Sequence, residues 1–168
     1  AEAARLLRLR QPGARVQLLG FVDAENRSAI TRAELDGWVA EGSVEYLGLA
    51  DDVRPYLAAA DAVVLPSYRE GLPRSLLEAG AMGKPLIATD VPGNRSLVDD
   101  GLNGMLCRPA DAASLADVME RFLLLPTAER RRMGERAREK VVAGFSEAKV
   151  IAAYIDAINE VIRGKVCA

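Results

Sequence analysis

Two glutamates flank a glycine–leucine–proline turn in the stretch LPSYREGLPRSLLEAGAMGKP, which runs from Leu65 to Pro85. Glu78 lies in the predicted helix after the turn, and its side chain leans back toward the helix N-terminus. A carboxylate there can accept two hydroxyl hydrogen bonds in a fork, which fits a ribose diol. Free N–H groups at the start of the helix favour phosphate. Because Glu70 lies on the other side of the turn, the pattern favours a ligand that has a sugar at each acid and phosphate between them.

The same stretch is also compatible with a turn that binds nothing. Acids are favoured in a first helical turn without any ligand, and Glu78 can be solvated there. Tyr68 fits packing at a loop edge as well as stacking on a base. Gly83-Lys84-Pro85 is typical of a helix C-cap and turn, with a phosphate contact of Lys84 as the alternative. The segment GNRS starts a further helix at a strand end, and its single Gly93 is only a weak signal for ligand binding. No GxGxxG motif occurs, so the Rossmann dinucleotide-binding fingerprint is absent.

Five short apolar runs predict strands that alternate with helical patterns: ARVQLLG, SVEYLG, DAVVLP, PLIATD and GMLCRP. The interior runs lack clean alternation, as buried parallel strands do. The helical patterns are AEAARLLRLR, AENRSAITRAELDGWVAEG, DDVRPYLAAAD, DAASLADVMERFLLL and two C-terminal segments. Strands that alternate with helices predict an α/β fold with a doubly wound parallel sheet, in a single domain over residues 1–168. Such domains usually begin with a strand, so we expect the first strand to be missing from a chain that opens in a helix.

Particular residues are expected at the helix ends. The aspartates of DDVRPYLAAAD should cap that helix, and Asp111 should cap the helix of DAASLADVMERFLLL. Pro73 suits the first helical position after the Glu70 turn. The run ERRRMGERAREK mixes acids and bases, which favours a solvated helix face over a contact with a membrane or an acceptor.

Composition excludes several kinds of chemistry. The chain has 168 residues and a formal net charge of -2, which argues against a nucleic-acid partner held by bulk charge. It contains no histidine, so chemistry within it depends on carboxylates, backbone amides, arginine and lysine. Cys107 and Cys167 match neither a disulfide framework nor a metal spacing, which favours a reducing cytoplasm. No apolar run approaches the length of a membrane span.

The segment EGLPRSLLEA, from Glu70 to Ala79, resembles the E-x7-E signature of retaining nucleotide-sugar glycosyltransferases of the GT-B fold, family 4. The similarity extends through YLGLADDVRPYLAAADAVVLPSYREGLPRSLLEAGAMGKPLIATDVPG, DDGLNGMLCRPAD and ERRRMGERAREKV, and so covers nearly the whole chain. The segment LLGFVDAENRSAITRAELDGWV looks most like the bacterial branch that builds surface polysaccharides and lipid-linked glycans. The resemblance implies the Rossmann-like, donor-binding C-terminal half of a GT-B fold.

The resemblance also implies roles for matching residues. Glu78 would hold the ribose hydroxyls, and Glu70 would lie near the donor sugar and the reacting centre as the catalytic residue. Anomeric configuration would be retained, and positive charge rather than a metal or another cofactor would stabilise the departing nucleoside diphosphate. The remaining donor-binding positions would be Gly48, Leu49, Tyr68, Gly71, Leu72, Pro73, Arg74, Ser75, Leu76 and Leu77.

Apart from Tyr68, which could stack on a base, these positions would divide by the part of the donor that they meet. Gly48-Leu49 would lie beside the base, and Leu76-Leu77 would wall the nucleoside. Backbone amides around Gly71-Leu72 would hold the sugar and diphosphate, whereas Pro73 has no N–H to offer. Arg74-Ser75, in the first helical turn, can add donors.

The implied protein transfers a hexosyl group to a glycan or a lipid-linked acceptor, with a UDP sugar favoured as donor over GDP and ADP sugars. The acceptor would bind to an N-terminal domain absent from the chain, toward which the final helix, residues 146–163, would pack. The implied location is cytoplasmic and peripheral at the inner membrane face, with membrane contact only through the absent half. The 168 residues alone are expected to be inactive.

Two departures from the family pattern bear on these expectations. Members usually place an Arg and a Lys, on and after the first strand of this domain, against the diphosphate, and that stretch is not in the chain. Ser96 stands where the family often has Glu. A non-catalytic nucleotide-binding module and a GT-B nucleotide-sugar epimerase remain as alternatives, although epimerases of that kind rely on histidines as well as acids.

Overall fold

The computed structural model describes residues 1–22 and 30–166, with side chains to residue 163. Helices and strands alternate along most of the chain, as predicted. The helices are α1 (Glu2–Arg10), α2 (Arg32–Ala40), α3 (Arg54–Ala59), α4 (Arg74–Ala81), α5 (Pro92–Arg95), α6 (Ala112–Leu124), α7 (Thr127–Phe145) and α8 (Glu147–Val166). The strands are β1 (Gln17–Leu18), β2 (Glu45–Tyr46), β3 (Val63–Leu65), β4 (Leu86–Thr89) and β5 (Gly104–Cys107).

All five strands lie within the five predicted runs, and every pairing is parallel. β1 pairs with β2, and β3, β4 and β5 form a second sheet in that order. Among the described residues β1 and β3 are not hydrogen-bonded to each other, so the strands form two separate parallel sheets. Doubly wound sheets commonly have the strand order 3-2-1-4-5-6. When β1 to β5 are matched to strands 2 to 6 of that order, the break between β1 and β3 falls at the position of strand 1.

The second sheet is covered by helices on both faces, which confirms the α/β, doubly wound class. All four residues of β4 are buried. Ile87 packs in one apolar cluster with residues of α1 and α6. Leu86 and Ala88, which alternate with it, pack in a second cluster with residues of α4 and α7. Because successive strand side chains point to opposite faces, β4 lies in the middle of a three-layer structure.

The helix starts correct two expectations and confirm a third. Asp111 is the N-cap of α6, and its carboxylate accepts a hydrogen bond from the Ser114 N–H at 2.8 Å. The N-cap of α3 is Val53 rather than an aspartate, although Asp52 accepts the N–H of Arg54 at 3.0 Å. The helix predicted over AENRSAITRAELDGWVAEG begins at Arg32, and the part of that prediction on residues 24–29 lies outside the described residues.

The start of α2 has a local cause. Thr31 is its N-cap and forms a capping box with Glu34, in which each side chain bonds to the backbone N–H of the other residue. This arrangement satisfies two N–H groups at the helix start. The backbone bond from Thr31 holds the pKa of Glu34 below its usual value.

Two glycines hold α7 close behind α4. A Cβ at Gly80 would clash with Val141, and one at Gly134 would clash with the carbonyl oxygen of Gly83, each nearer than the 3.0 Å that real Cβ atoms keep. Arg138 also donates to the carbonyl of Ala81, at the last turn of α4. The helix that carries Glu78 is thus fixed from behind by α7.

Candidate functional site

The loop between β3 and α4 leaves the carboxyl end of a parallel strand, where open α/β sheets bind their ligands. β3 ends at Leu65, and α4 begins at Arg74. Tyr68 is 72% exposed and Leu72 is 48% exposed, so the loop presents apolar surface to solvent. Glu70 is half-buried in this loop, and Glu78 is exposed on α4.

The N-terminus of α4 has no side-chain cap. Pro73 is the N-cap, with φ −74° and ψ 112°, and Arg74 is the first helical residue. The expectation that Pro73 occupies the first helical position is therefore wrong by one residue, because its extended ψ places it outside the helix. The first helical N–H groups, from Arg74 to Leu76, receive no intrahelical partner. They form a donor cluster with a partial positive charge beside the loop.

Charged side chains around this helix start have no protein partner in the described part of the chain. Glu70, Glu78, Arg69 and Arg74 form neither an ion pair nor a side-chain hydrogen bond there. Many charges elsewhere are paired: Arg10 with Asp117, Arg15 with Glu45, Arg54 with Asp52, Arg95 with Asp90, and Arg108 with Asp111. Two carboxylates and two guanidinium groups within ten residues are thus available for a ligand.

The two leucines expected to wall a nucleoside differ in their surroundings. Leu76 has 0% exposure and packs in the core cluster under α4. Leu77 is half-buried at the margin of the same cluster, so part of its side chain is accessible to a ligand. Their contact with a nucleoside stays a prediction.

Gly48 and Leu49 follow the carboxyl end of β2, at the same edge of the fold as the β1 terminus. Gly48 has φ +82°, a conformation that favours glycine. Its carbonyl accepts the N–H of Gly20 at 3.0 Å, which extends the parallel pairing beyond β1. Leu49 is 67% exposed, so it presents an apolar side chain to solvent, and its contact with a base, which the family resemblance implies, stays a prediction.

Lys84 has a structural partner. Its ammonium group donates to the carbonyl oxygens of Ala58 and Ala60, at 2.7 and 2.9 Å. Gly83, with φ +68°, turns the chain after α4, as the sequence predicted for Gly83-Lys84-Pro85. The alternative in which Lys84 holds phosphate is not supported, because both carbonyls lie at the end of α3.

Sequence reasoning missed residues of β4 and α5 that lie behind the Glu70 loop. Thr89 donates its hydroxyl hydrogen to the carbonyl of Ser67. Asn94 is fully buried and donates to the Thr89 carbonyl at 2.9 Å and to the Thr89 hydroxyl at 3.2 Å. Gly93 contacts the loop backbone directly. The available signal was a glycine and a polar residue directly after a buried strand, in DVPGN.

Ser96, which departs from the family pattern, also stabilises this turn. Its hydroxyl donates to the Gly93 carbonyl at 2.6 Å. Asp90 and Arg95 pair beside it at 2.5 Å, and this pairing lowers the pKa of Asp90. A cleft of about 550 Å³ lies on the other side of Asp90, between β5 and α6, and neither glutamate lines it.

The described residues contain neither the ligand cluster of a metal site nor a membrane-spanning helix. No cluster of three or more His, Cys, Asp or Glu side chains with the arrangement of a metal site occurs in residues 1–22 and 30–166. Within the same ranges, none of the helices combines the length and apolar character that crossing a membrane requires. The free thiol of Cys107 is buried, which raises its pKa and leaves it unsuited to nucleophilic chemistry.

The sequence of the chain matches the family model described as glycosyl transferases group 1 over residues 1–124. The chain therefore belongs to this family. It is 35% identical over 146 residues to the lipopolysaccharide core biosynthesis glycosyltransferase LpsE of Rhizobium meliloti (strain 1021), covering 87% of the chain and 42% of that protein. It is also 35% identical over 155 residues to the putative glycosyltransferase EpsD of Bacillus subtilis (strain 168), covering 92% and 39%. The chain thus spans about two fifths of the length of these relatives.

Solved structures show the same fold. Sucrose-phosphate synthase from Thermosynechococcus elongatus superposes with a TM-score of 0.83 at 27% identity, over 97% of this chain and 42% of that one. Anabaena Alr3699/HepE in complex with UDP superposes with a TM-score of 0.83 at 22% identity, over 95% and 44%. These likenesses confirm the expected glycosyltransferase fold across nearly the whole chain.

Proposed function

We propose that this chain is the nucleotide-sugar-binding half of a glycosyltransferase, with its site in the loop from β3 to α4. One observation carries the proposal: Glu70 and Glu78, both without protein partners, flank the uncapped N-terminus of α4 at the carboxyl end of a parallel strand. Family membership supports it, and so do fold neighbours solved with UDP and with UDP-glucose.

In the proposed complex, each site residue acts through the geometry described above. Glu78 accepts hydrogen bonds from the two ribose hydroxyls, and Glu70 faces the donor sugar at the reacting centre. The N–H groups at the start of α4 hold the diphosphate, with the guanidinium of Arg74 as an additional donor. Leu77 and Leu49 offer apolar surface to the nucleoside. Tyr68, which is largely exposed, is available to stack on a ring of the ligand.

The proposed reaction transfers a hexosyl group with retention to a glycan or a lipid-linked acceptor. Charge that develops on the departing diphosphate is stabilised by helix N–H groups and guanidinium, so the proposal assigns no metal to the site. One relative supports a lipid-linked acceptor, the UDP-Gal:alpha-D-GlcNAc-diphosphoundecaprenol alpha-1,3-galactosyltransferase of Escherichia coli, which is 34% identical over 103 residues. With such an acceptor the protein works at the inner membrane face, through its other half.

The break between the two sheets supports a specific arrangement of the full-length protein. We expect it to place a parallel strand between β1 and β3, because the strand order leaves that position open. The carboxyl end of such a strand lies beside the loop that carries Glu70. The Arg and Lys that the family resemblance implies would then reach the diphosphate from that strand and the loop after it.

The outward face of α8 is proposed to dock on the rest of the protein. It carries an apolar stripe at helical spacing whose members are each at least 46% exposed: Val150, Ile151, Tyr154, Ile155, Ile158, Val161 and Ile162. A large exposed apolar surface of this kind is typical of a face that packs against another part of the protein or a partner. The remaining three fifths of the length seen in relatives provides a candidate surface.

Titration calorimetry of the chain with UDP, GDP and ADP tests the proposal. We expect UDP to bind most tightly, with a Kd on the order of 0.1 to 1 mM, because the basic residues of the neighbouring strand are not in the chain. Glu78→Gln should weaken binding of UDP, whereas Glu70→Gln, at the residue that faces the donor sugar, should weaken binding of UDP-glucose and leave binding of UDP unchanged. Absence of heat with all three nucleotides at millimolar concentration would contradict the proposal.

A further inference from the structure

Gly93 of α5 lies against the backbone of the two residues at the centre of the proposed site. A Cβ at this position would come closer than 3.0 Å to the carbonyl oxygens of both Glu70 and Gly71, a separation that real Cβ atoms essentially never show. Gly93 itself is buried. Only glycine therefore lets α5 approach the loop this closely, and the contact is between two backbones rather than with a side chain that can swing away.

Side-chain hydrogen bonds hold Gly93 in its turn. The Ser96 hydroxyl donates to the Gly93 carbonyl at 2.6 Å. The carboxamide of Asn94 donates to the Thr89 carbonyl at 2.9 Å, which ties α5 to the end of β4. β4 is buried in the middle of the sheet, so the turn that carries Gly93 is anchored to the core where it packs against the loop.

Thr89 makes a second contact with the same loop. Its side chain is buried, and its hydroxyl donates to the carbonyl of Ser67 while it accepts a hydrogen bond from Asn94. The loop is therefore held at Ser67 by a hydrogen bond and at Glu70 by steric contact. Both restraints come from the β4–α5 connection.

Glu70 depends on this support because its own side chain has no partner. Its carboxylate makes no hydrogen bond or ion pair in the described part of the chain, so only the loop backbone sets where it lies. Asn94, which has 0% exposure, adds to this support through its two hydrogen bonds to Thr89.

We propose that Gly93, Thr89 and Asn94 are positioning residues, which fix the loop backbone so that the Glu70 carboxylate and the Gly71 N–H meet the donor together. The inference rests on the proposed nucleotide-sugar site for its effect on binding. Its structural part, the support of the loop by β4 and α5, does not depend on any ligand.

Paired variants test this role. Gly93→Ala places a Cβ against the loop, and its matched control, Gly104→Ala, creates an equally tight clash with the Leu86 carbonyl at the amino end of β4, away from the proposed site. Thr89→Val removes the hydroxyl at nearly constant shape, and Thr89→Ser restores it. The second pair keeps the test available if Gly93→Ala does not fold.

Two readouts are needed, and the first uses no ligand. Backbone amide resonances of residues 67–71 should shift in Gly93→Ala and Thr89→Val, whereas those of Gly104→Ala and Thr89→Ser should match the unmodified chain. The second readout is the affinity for UDP-glucose, followed by resonance titration. We expect a loss of about tenfold in Gly93→Ala and Thr89→Val, the equivalent of one hydrogen bond. Gly104→Ala should stay within about twofold, as distant sites do.

The outcomes separate this inference from the proposed function. Unchanged loop resonances in both Gly93→Ala and Thr89→Val would overturn the positioning role. An equal loss of affinity in Gly104→Ala would also overturn it, because general destabilisation would then explain the effect. If the loop resonances shift as expected but the unmodified chain binds no UDP-glucose, the support of the loop stands and the nucleotide-sugar proposal fails.

Discussion

The ammonium nitrogen of Lys84 lies 2.7 Å from the carbonyl oxygen of Ala58 and donates a hydrogen bond to it across 26 residues of sequence. The Ala58 carbonyl belongs to the last turn of α3, where carbonyls lack intrahelical partners. A cation at this end also complements the helix dipole. Lys84 therefore joins the turn after α4 to the end of α3, just before β3 begins.

Lys84→Met should lower the stability of the fold and leave nucleotide affinity unchanged. The variant keeps the apolar stem and removes two charge-assisted hydrogen bonds, for a loss of about 1 to 2 kcal/mol at this half-exposed position. Urea denaturation followed by circular dichroism measures the loss, and calorimetry with UDP measures the affinity. A variant that retains its stability but binds UDP more weakly would show that Lys84 contacts phosphate.

Glu78→Gln should leave the stability of the fold unchanged and lower the affinity for nucleotide. Its side chain is exposed and has no protein partner, so the thermal midpoint should barely move. Loss of the charge-assisted bonds to two ribose hydroxyls should weaken UDP binding by roughly 1.5 to 3 kcal/mol. Glu139→Gln, on the exposed side of α7, is the matched control and should change neither quantity. A collapse of the melting point with intact binding would show that Glu78 is structural.

Glu45 should give the fold a dependence on acid pH. Hydrogen bonds from Arg15, at 2.7 and 2.8 Å, and from Gln17, at 2.9 Å, lower the pKa of Glu45 from 4.5 to about 2. Since the pKa is lower in the folded state, the stabilisation is present above pH 4.5 and is lost as pH falls toward 2. The difference in melting temperature between the unmodified chain and Glu45→Gln should therefore shrink over that window.

Salt provides the check on the Glu45 interpretation. All the groups involved are on the surface, so the difference from Glu45→Gln should be small and should decrease further at high ionic strength. A difference that stays constant from pH 5 to pH 2 would show that the Glu45 effect is not one of ionisation.

Residues 1–168 alone should not catalyse acceptor-dependent transfer. Transfer needs an acceptor hydroxyl held within about 3 to 3.5 Å of the anomeric carbon, and the chain spans only 42% of the length of LpsE. Loss of one donor to developing charge can cost roughly a hundred- to a thousandfold in rate. Release of UDP from a UDP sugar should therefore depend on acceptor only in the full-length protein.

The control for this prediction is a Glu70→Ala variant of the full-length protein, which should lose transfer. Full activity in that variant would remove Glu70 from the mechanism. Robust transfer by residues 1–168 would show instead that a single half contains the complete site.

Much of the candidate site follows from sequence alone, because its signals are local. A valine-rich run, a Gly-Leu-Pro turn and a helical pattern predict a strand, a loop and a helix, and the loop and helix carry Glu70 and Glu78. The structure contains these elements as β3, the loop and α4. The helix start shifted by one residue, to Arg74, because the extended ψ of Pro73 is set by the turn and not by proline itself.

Other features were decided only by tertiary structure. Gly93 lies 23 residues after Glu70, and nothing in the sequence around either residue predicts that their backbones touch. The full burial of Leu76 and the partial burial of Leu77 depend on the angle at which α4 packs on the sheet. The break between β1 and β3 reflects which strands are neighbours in space. Sequence patterns report local backbone preference and the side that faces the core, whereas contacts between distant loops are fixed only when sheet and helices pack together.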